Sequence, residues 1–89
     1  MTEVEIKFRS LVEQHTLRQF GYHVFDLRPF RNGVYNVILK RLGEIEEIPF
    51  PVFADQVRDS VLTGQLPEGL MRGFADYFKS RVAQIAKRA

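Results

Sequence analysis

The chain has no cysteine and no tryptophan, and only two of its 89 residues are histidines. Without cysteine there is no disulfide, no thiolate nucleophile and no zinc or iron–sulfur site built on cysteine ligands. His15 and His23 have no further ligands at a spacing typical of metal sites,. We therefore expect no metal and no cofactor, and we interpret both histidines as structural residues.

Long apolar runs are missing as well. No segment approaches the ~20 apolar residues that a transmembrane helix needs. The charged N-terminus, MTEVEIKFRS, lacks the apolar segment of a signal peptide. We therefore expect a soluble cytoplasmic protein without membrane contact.

The sequence also lacks the usual signatures of catalysis. It contains no glycine-rich phosphate loop, and no serine stands in a nucleophile elbow. Asp55 and Asp59 have i,i+4 spacing, but the solvent side of a helix explains that spacing. We expect no enzymatic activity and no small-molecule substrate.

Aromatic residues, by contrast, are plentiful. Eight Phe and three Tyr are present, and each can bury about 150–250 Å². A chain of this length can therefore build a core without disulfides or a metal. No repeat, low-complexity segment or linker divides the sequence, so we expect residues 1–89 to form one small α+β domain.

The N-terminal segment, residues 2–20, fits two patterns. As a strand, residues 3–9 alternate between apolar and charged side chains,. As a helix, the segment has a capping box of Thr2 and Glu5 and two acid–base pairs at i,i+4. Its apolar stripe consists of Val4, Phe8, Leu11, Val12 and His15, and the pairs are Glu3–Lys7 and Glu5–Arg9. We prefer the helix, and Gly21 ends it in either case.

Residues 22–29 and 34–42 are rich in β-branched and aromatic side chains and flank the dipeptide Asn32-Gly33. Asn-Gly favours a type I′ turn, in which both turn residues have positive φ. The pattern predicts an antiparallel hairpin. Pro29 cannot donate a ladder hydrogen bond, so it belongs on an edge or in a widened loop.

The C-terminal half predicts an extended segment over residues 43–50 and two helices. Pro51 fits the first position of a helix over residues 52–63, and Leu66-Pro67-Glu68 begins another that reaches about residue 87. The inward residues of the first of these helices are Val52, Phe53, Val57 and Val61. The apolar face of the second is Leu70, Met71, Phe74, Phe78, Val82 and Ile85, with Arg72 and Asp76 paired on the other side.

Simple alternation predicts two apolar faces on the hairpin. One face carries Phe25, Leu27, Val34, Ile38 and Leu42. The other carries Tyr22, Val24, Phe30, Tyr35, Val37 and Leu39, mixed with Asp26, Arg28 and Arg41. A lone two-stranded hairpin is marginal in water, so something must cover it. Residues 44–50 or 3–9 can add a strand while helices of the same chain cover both faces, or a partner chain covers one face; we favour the partner.

Our leading functional hypothesis is a non-enzymatic protein–protein interaction module. It would act as a homodimer, or as a small subunit or inhibitor docked on a larger complex, such as a virally encoded inhibitor of a host machine. The expected partner-binding residues lie at the hairpin tip, where aromatic and arginine side chains are typical of interface hot spots. They are Arg28, Phe30, Arg31 and Tyr35.

The alternative is a nucleic-acid-binding protein. Basic residues neutralise phosphates and neighbouring aromatic rings stack on bases. The candidate residues on the hairpin and the last helix are Arg28, Arg31, Lys40, Arg41, Lys79, Arg81, Lys87 and Arg88. The nearby acidic residues Glu44, Glu46 and Glu47 would repel a phosphate backbone, and a net charge of +2 is weak support,.

Overall fold

The computed structural model describes the backbone of residues 2–88 and the side chains of residues 2–81. Within that part of the chain, helices and strands follow in the order α1, β1, β2, β3, α2, α3. Their bounds are Glu3–Phe20, Tyr22–Arg31, Val34–Arg41, Ile48–Phe53, Ala54–Thr63 and Glu68–Arg88. The strands form one antiparallel sheet in the order β1-β2-β3. The predicted α+β fold is confirmed, including the additional strand; the side chains of Val82, Ile85, Lys87 and Arg88 lie outside the described residues.

Helix α1 begins with the predicted capping box. The backbone N–H of Glu5 donates to Thr2 Oγ1 over 3.2 Å, and Glu5 Oε1 accepts from the backbone of Thr2 over 3.3 Å. Gly21 ends the helix at a φ of 77°, where a side chain would be strained,. The strand alternative for residues 3–9 is therefore wrong, because the capping box and the tertiary contacts of this segment favour a helix.

The hairpin forms at the predicted place but not with the predicted turn. Gly33 has a φ of 75°, whereas Asn32 is not among the described residues with positive φ. A type I′ turn needs positive φ at both positions, so that prediction is wrong; positive φ at the second position alone is the pattern of a type II turn. The register shift between Pro29 and Arg31 lies next to this turn, and such a shift increases local strand twist.

A bulge at Phe25 changes which residues of β1 face the helices. Val24 and Asp26 pair with successive residues of β2, so Phe25 between them has no partner. Leu27 therefore joins Val24 on the side that packs on the helices. The prediction that Phe25 and Leu27 share a face is wrong, because simple alternation does not anticipate a bulge.

The boundary between β3 and α2 also differs from the prediction. Val52 and Phe53 are the last residues of β3, and α2 begins at Ala54. Pro51 does not open the helix. Together with Pro49 it belongs to an edge strand, where a residue without an N–H group is tolerated,. Phe53, predicted to face inward, is exposed.

The hydrophobic core lies between the three helices and one face of the sheet. Phe78 of α3 stacks on Phe20 and Tyr22 with centroid distances of 4.6 Å, and Phe50 contacts Phe74 at 4.4 Å. The hydrophobic residues with the least exposure are Phe8, Val12, Val37, Leu39, Val52 and Phe74. Such aromatic contacts supply much of the burial in a small domain.

One buried hydroxyl ties the end of α1 to the start of β1. Thr16 is fully buried, and its Oγ1 donates to the carbonyl oxygen of Tyr22 over 2.9 Å. The ring of His15, the preceding residue, packs near the rings of Phe20 and Phe74, with centroid distances of 6.0 and 6.1 Å. Burial of the imidazole lowers the pKa of His15 below its usual 6.5.

Helix α3 confirms its predicted start and most of its predicted core face. Leu70, Phe74 and Phe78 are buried. Arg72 pairs with Glu68 over 3.0 Å and not with Asp76, so that predicted pair is wrong. A glutamate four residues before an arginine is the more favourable order on a helix.

Candidate protein-interaction face

The face of the sheet that turns away from the core carries the candidate site, and we call it the open face. Residues paired directly across neighbouring strands share a face, so the strand register defines its members. They are His23, Phe25, Asp26, Arg28 and Arg31 of β1, Val34, Asn36, Ile38 and Lys40 of β2, and Pro49, Pro51 and Phe53 of β3. Within residues 2–81, the core side chains of the helices pack against the opposite face of the sheet.

The open face is substantially apolar. Ile38, at its centre, is only 4% exposed although it is not part of the main core. Its cross-strand neighbours are Asp26 and Pro49. Phe25 and Phe53 remain 48% and 61% exposed. Exposed apolar surface on a small protein is a candidate interaction site.

Phe53 lies at the N-cap of α2. Its φ and ψ of −86° and 148° are those of an N-cap residue, but its ring makes no capping hydrogen bond. The position favours Ser, Thr, Asp or Asn over an apolar residue. Phe53 is thus mostly exposed and also poorly suited to its backbone position, which points to a role outside the fold itself.

An ionic cluster stands on the open face beside Ile38. Arg28 Nε donates to Asp26 Oδ2 over 2.8 Å, and Arg28 Nη1 lies 3.6 Å from Glu47 Oε2. The hydrogen bond from Arg28, together with one from the backbone of Leu27, holds the pKa of Asp26 below its usual value. The hydrogen bond to Asp26, together with the nearby carboxylate of Glu47, raises the pKa of Arg28. The positive charge of Arg28 is therefore offset by two carboxylates.

Both edges of the sheet are unsuited to pairing with a further strand. On β3, Pro49 and Pro51 remove N–H donors from the outer edge,. On β1, Arg9 donates to the carbonyl oxygens of Val24 and Phe25 over 3.1 and 2.9 Å. Two residues further along, the N–H of Leu27 donates to the side chain of Asp26. Neither edge therefore offers a regular row of backbone groups for pairing with a further strand.

The structure separates the four predicted partner-binding residues. Phe30 is 58% exposed at the hairpin tip, and the guanidinium of Arg31 lies 5.3 Å from its ring centroid. Arg28 lies in the ionic cluster. Tyr35 packs against the core on the helix side of the sheet. Phe53, opposite Val34 in the register, takes the place beside the tip that sequence reasoning assigned to Tyr35.

The predicted nucleic-acid-binding residues do not share one uninterrupted basic surface. Arg28 is paired, and Arg81 is half-buried and bonded to Glu46. Arg81 and Arg41 line a cavity of about 510 Å³ that also contains Glu44 and Glu46. The remaining candidates with described side chains are Arg31, Lys40, Arg41 and Lys79, whereas Lys87 and Arg88 lie outside the described residues.

Sequence reasoning missed Phe25 and Phe53 as site residues for different reasons. Phe25 was assigned to one regular apolar face because a bulge leaves no clear signal in a single sequence. Phe53 was assigned to a helix core because Pro51 was interpreted as a helix start. The alternation of Pro49 and Pro51 with apolar residues was the available sign of an edge strand,.

None of the helices in the described part of the chain is long and apolar enough to cross a membrane. Among the same residues, no group of three or more histidine, aspartate or glutamate side chains is placed to hold a metal ion. Comparison with protein-family models, curated protein sequences and solved structures gives no match for this chain.

Proposed function

We propose that this protein is a non-enzymatic interaction module and that its open face binds an amphipathic helix of a partner protein. The observation that carries the proposal is the exposure of Phe25 and Phe53 on a sheet face whose central residue, Ile38, is buried. Large aromatic anchors around a desolvated centre are typical of interface hot spots.

The two sheet edges favour a helix over a strand as the bound element of the partner. A strand would need free backbone hydrogen-bonding groups at β1 or β3. Prolines remove N–H donors from β3, and the side chains of Arg9 and Asp26 already bond backbone groups of β1. A helix satisfies its own backbone hydrogen bonds and needs only an apolar surface. It would complete a second helical layer over the sheet, which is a common way to bury both faces.

The dimensions of the open face suit a short helix. From Val34 to Lys40 along β2 the face extends about 20 Å at ~3.3 Å per residue. A helix of about 14 residues covers that length at 1.5 Å per residue. Three or four turns therefore place apolar side chains over Phe53 at one end and Phe25 at the other.

Charge opposes a second copy of the chain as the occupant. A twofold contact would place the open face against itself. Lys40 and Arg31 form no ion pair within residues 2–81, while Arg28 is already paired. Two such faces would bring uncompensated positive charges together, so a different chain of complementary charge is the better partner.

The proposal is tested by selecting binders from a displayed library of amphipathic helices of about 18 residues. We expect helices to be enriched on the purified protein and to lose binding to a Phe25→Ser/Phe53→Ser double variant. A matched Leu17→Ser/Leu62→Ser variant removes two exposed leucines from α1 and α2. That variant should retain binding.

Three results would overturn the proposal. One is the absence of any enriched helix, and another is equal binding by both double variants. The third is a stable dimer in solution that the Phe25→Ser/Phe53→Ser change dissociates, because the open face would then be occupied by a second copy. Circular dichroism of each variant establishes that any lost binding is not lost folding.

A further inference from the structure

A basic cavity of about 430 Å³ adjoins the open face at the end that carries Phe25. It lies where β1 begins and β2 ends, and its wall includes Leu42. Its basic side chains and imidazole come from α1, β1 and β2: they are Arg9, His23, Lys40 and Arg41. One carboxylate, that of Glu44, also lines it.

The cations of this cavity lack the ion pairs that five other cations of residues 2–81 form. Arg9, Lys40 and Arg41 form no ion pair within residues 2–81. Elsewhere in that part of the chain, five positive side chains are paired with carboxylates, namely Lys7, Arg28, Arg58, Arg72 and Arg81, whereas Arg18, Arg31 and Lys79 are not. Three cations without an ion-pair partner within residues 2–81 line one concave surface against the single carboxylate of Glu44, and such an excess of positive charge attracts an anionic group,.

Two of these cations are held in position by neighbouring groups. Arg9 Nη2 donates to the carbonyl oxygens of Val24 and Phe25, which leaves its other N–H donors for a ligand,. Lys40 Nζ lies 5.0 Å from the centroid of the Phe25 ring, within the range of a cation–π contact,. Donors that are already oriented lose less conformational entropy when a ligand binds.

We propose that this cavity binds the carboxylate of an Asp or Glu near one end of the partner helix and so fixes the direction in which the helix lies on the open face. The inference rests on the proposed function, since it names the charge of the same partner. The apolar side of the helix covers Phe25, Ile38 and Phe53, and its acidic end meets Arg9, Lys40 and Arg41. Electrostatic complementarity of this kind sets orientation more than affinity.

A carboxylate on a helix suits the open face better than the phosphates of a nucleic acid. The carboxylates of Asp26 and Glu47 lie between the cavity and Arg31, because Asp26 pairs with Ile38 in the middle of the sheet. A polyanion that followed the face would pass these negative charges. A single acidic group at one end avoids them.

The test uses the tightest helix from the library, with its acidic residue intact or replaced by lysine, at about 0.15 M salt. We expect the lysine peptide to bind the unmodified protein about tenfold more weakly, and a Lys40→Glu/Arg41→Glu variant to bind the acidic peptide about tenfold more weakly. The lysine peptide should recover binding to that variant. Lys79→Glu, a charge reversal at an exposed position of α3 outside the open face, should leave the preference between the two peptides unchanged.

The outcomes separate this inference from the proposed function. Equal binding of the acidic and lysine peptides, with loss only in Phe25→Ser/Phe53→Ser, overturns carboxylate binding by the basic cavity but not helix binding by the open face. Binding that is unaffected by Phe25→Ser/Phe53→Ser overturns both. If a single-stranded oligonucleotide at the same concentration displaces the peptide, the cavity binds phosphate, and the proposal that it binds a carboxylate is overturned.

Discussion

The backbone N–H of Ala54 donates to the carbonyl oxygen of Gly33 over 2.8 Å. This bond joins the first residue of α2 to the hairpin turn and places Phe53 next to the tip, where it pairs with Val34. The open face extends from the tip to the basic cavity over three strands, with the ionic cluster of Asp26, Arg28 and Glu47 beside its centre.

Replacing Phe53 by serine should separate stability from binding. Serine at this N-cap can accept a hydrogen bond from the first turn of α2, which is typically worth about 1 kcal/mol. The lost pairing with Val34 offsets roughly 0.2–1 kcal/mol of that gain. Urea denaturation should therefore show an unfolding free energy that is unchanged or higher, while the selected helix binds more weakly. A drop well beyond 1 kcal/mol would mean that Phe53 serves the fold.

Thr16 should be needed for its hydroxyl and not for its volume. In Thr16→Val the buried carbonyl oxygen of Tyr22 loses its donor, with an expected cost of about 1–3 kcal/mol,. Thr16→Ser keeps the hydroxyl and loses only a methyl group, so it is the matched control. Denaturant unfolding compares the two, and a valine variant as stable as the serine variant would contradict this account.

The two glycines of α3 should respond differently to alanine. A Cβ at Gly69 meets no atom within 4 Å, so Gly69→Ala should stabilise the helix by up to about 0.5–1 kcal/mol,. A Cβ at Gly73 would lie 3.3 Å from the tip of the Phe50 ring. That ring is held against Phe74 and Tyr77. Gly73→Ala should therefore gain less or be destabilising, and thermal unfolding in which it gains as much as Gly69→Ala would count against this packing.

His15 should make stability depend on pH below neutrality. Its folded pKa lies below the unfolded value of 6.5 because burial disfavours the imidazolium,. As pH falls through 6.5, the unfolded chain takes up a proton more readily than the folded one, so the contribution present above 6.5 is lost. The decline in unfolding free energy between about pH 7.5 and about pH 5.5 should be smaller in His15→Gln. An identical decline in both proteins would contradict the assignment to His15.

The sequence predicts helices and the hairpin because their signals are local. The capping box of Thr2 and Glu5, the helix stop at Gly21 and the Asn32-Gly33 turn each depend on residues within a few positions. The bulge at Phe25 and the strand containing Pro49 and Pro51 depend on which segment pairs with β2. That pairing is a tertiary property, so a pattern in one segment does not determine it.

The candidate site was predicted only in part for the same reason. Phe30 and Arg31 follow from the turn, and the structure leaves both at the exposed tip. Phe53 comes next to them only through its pairing with Val34, and Tyr35 turns to the core because alternate residues of β2 face opposite sides of the sheet,. The sequence also predicts that a partner covers one hydrophobic face of the hairpin. This stays a prediction, and it now concerns only the face of the sheet that the helices do not cover.

The most direct test of helix binding uses this alternation along β2. Ile38 and Val34 belong to the open face, whereas Val37 and Leu39 lie in the core. In a methyl-labelled sample titrated with the selected helix, the methyl signals of Val34 and Ile38 should shift strongly and those of Val37 and Leu39 only slightly. The largest shifts at Val37 and Leu39, or equal shifts on both sides of the strand, would contradict docking on the open face.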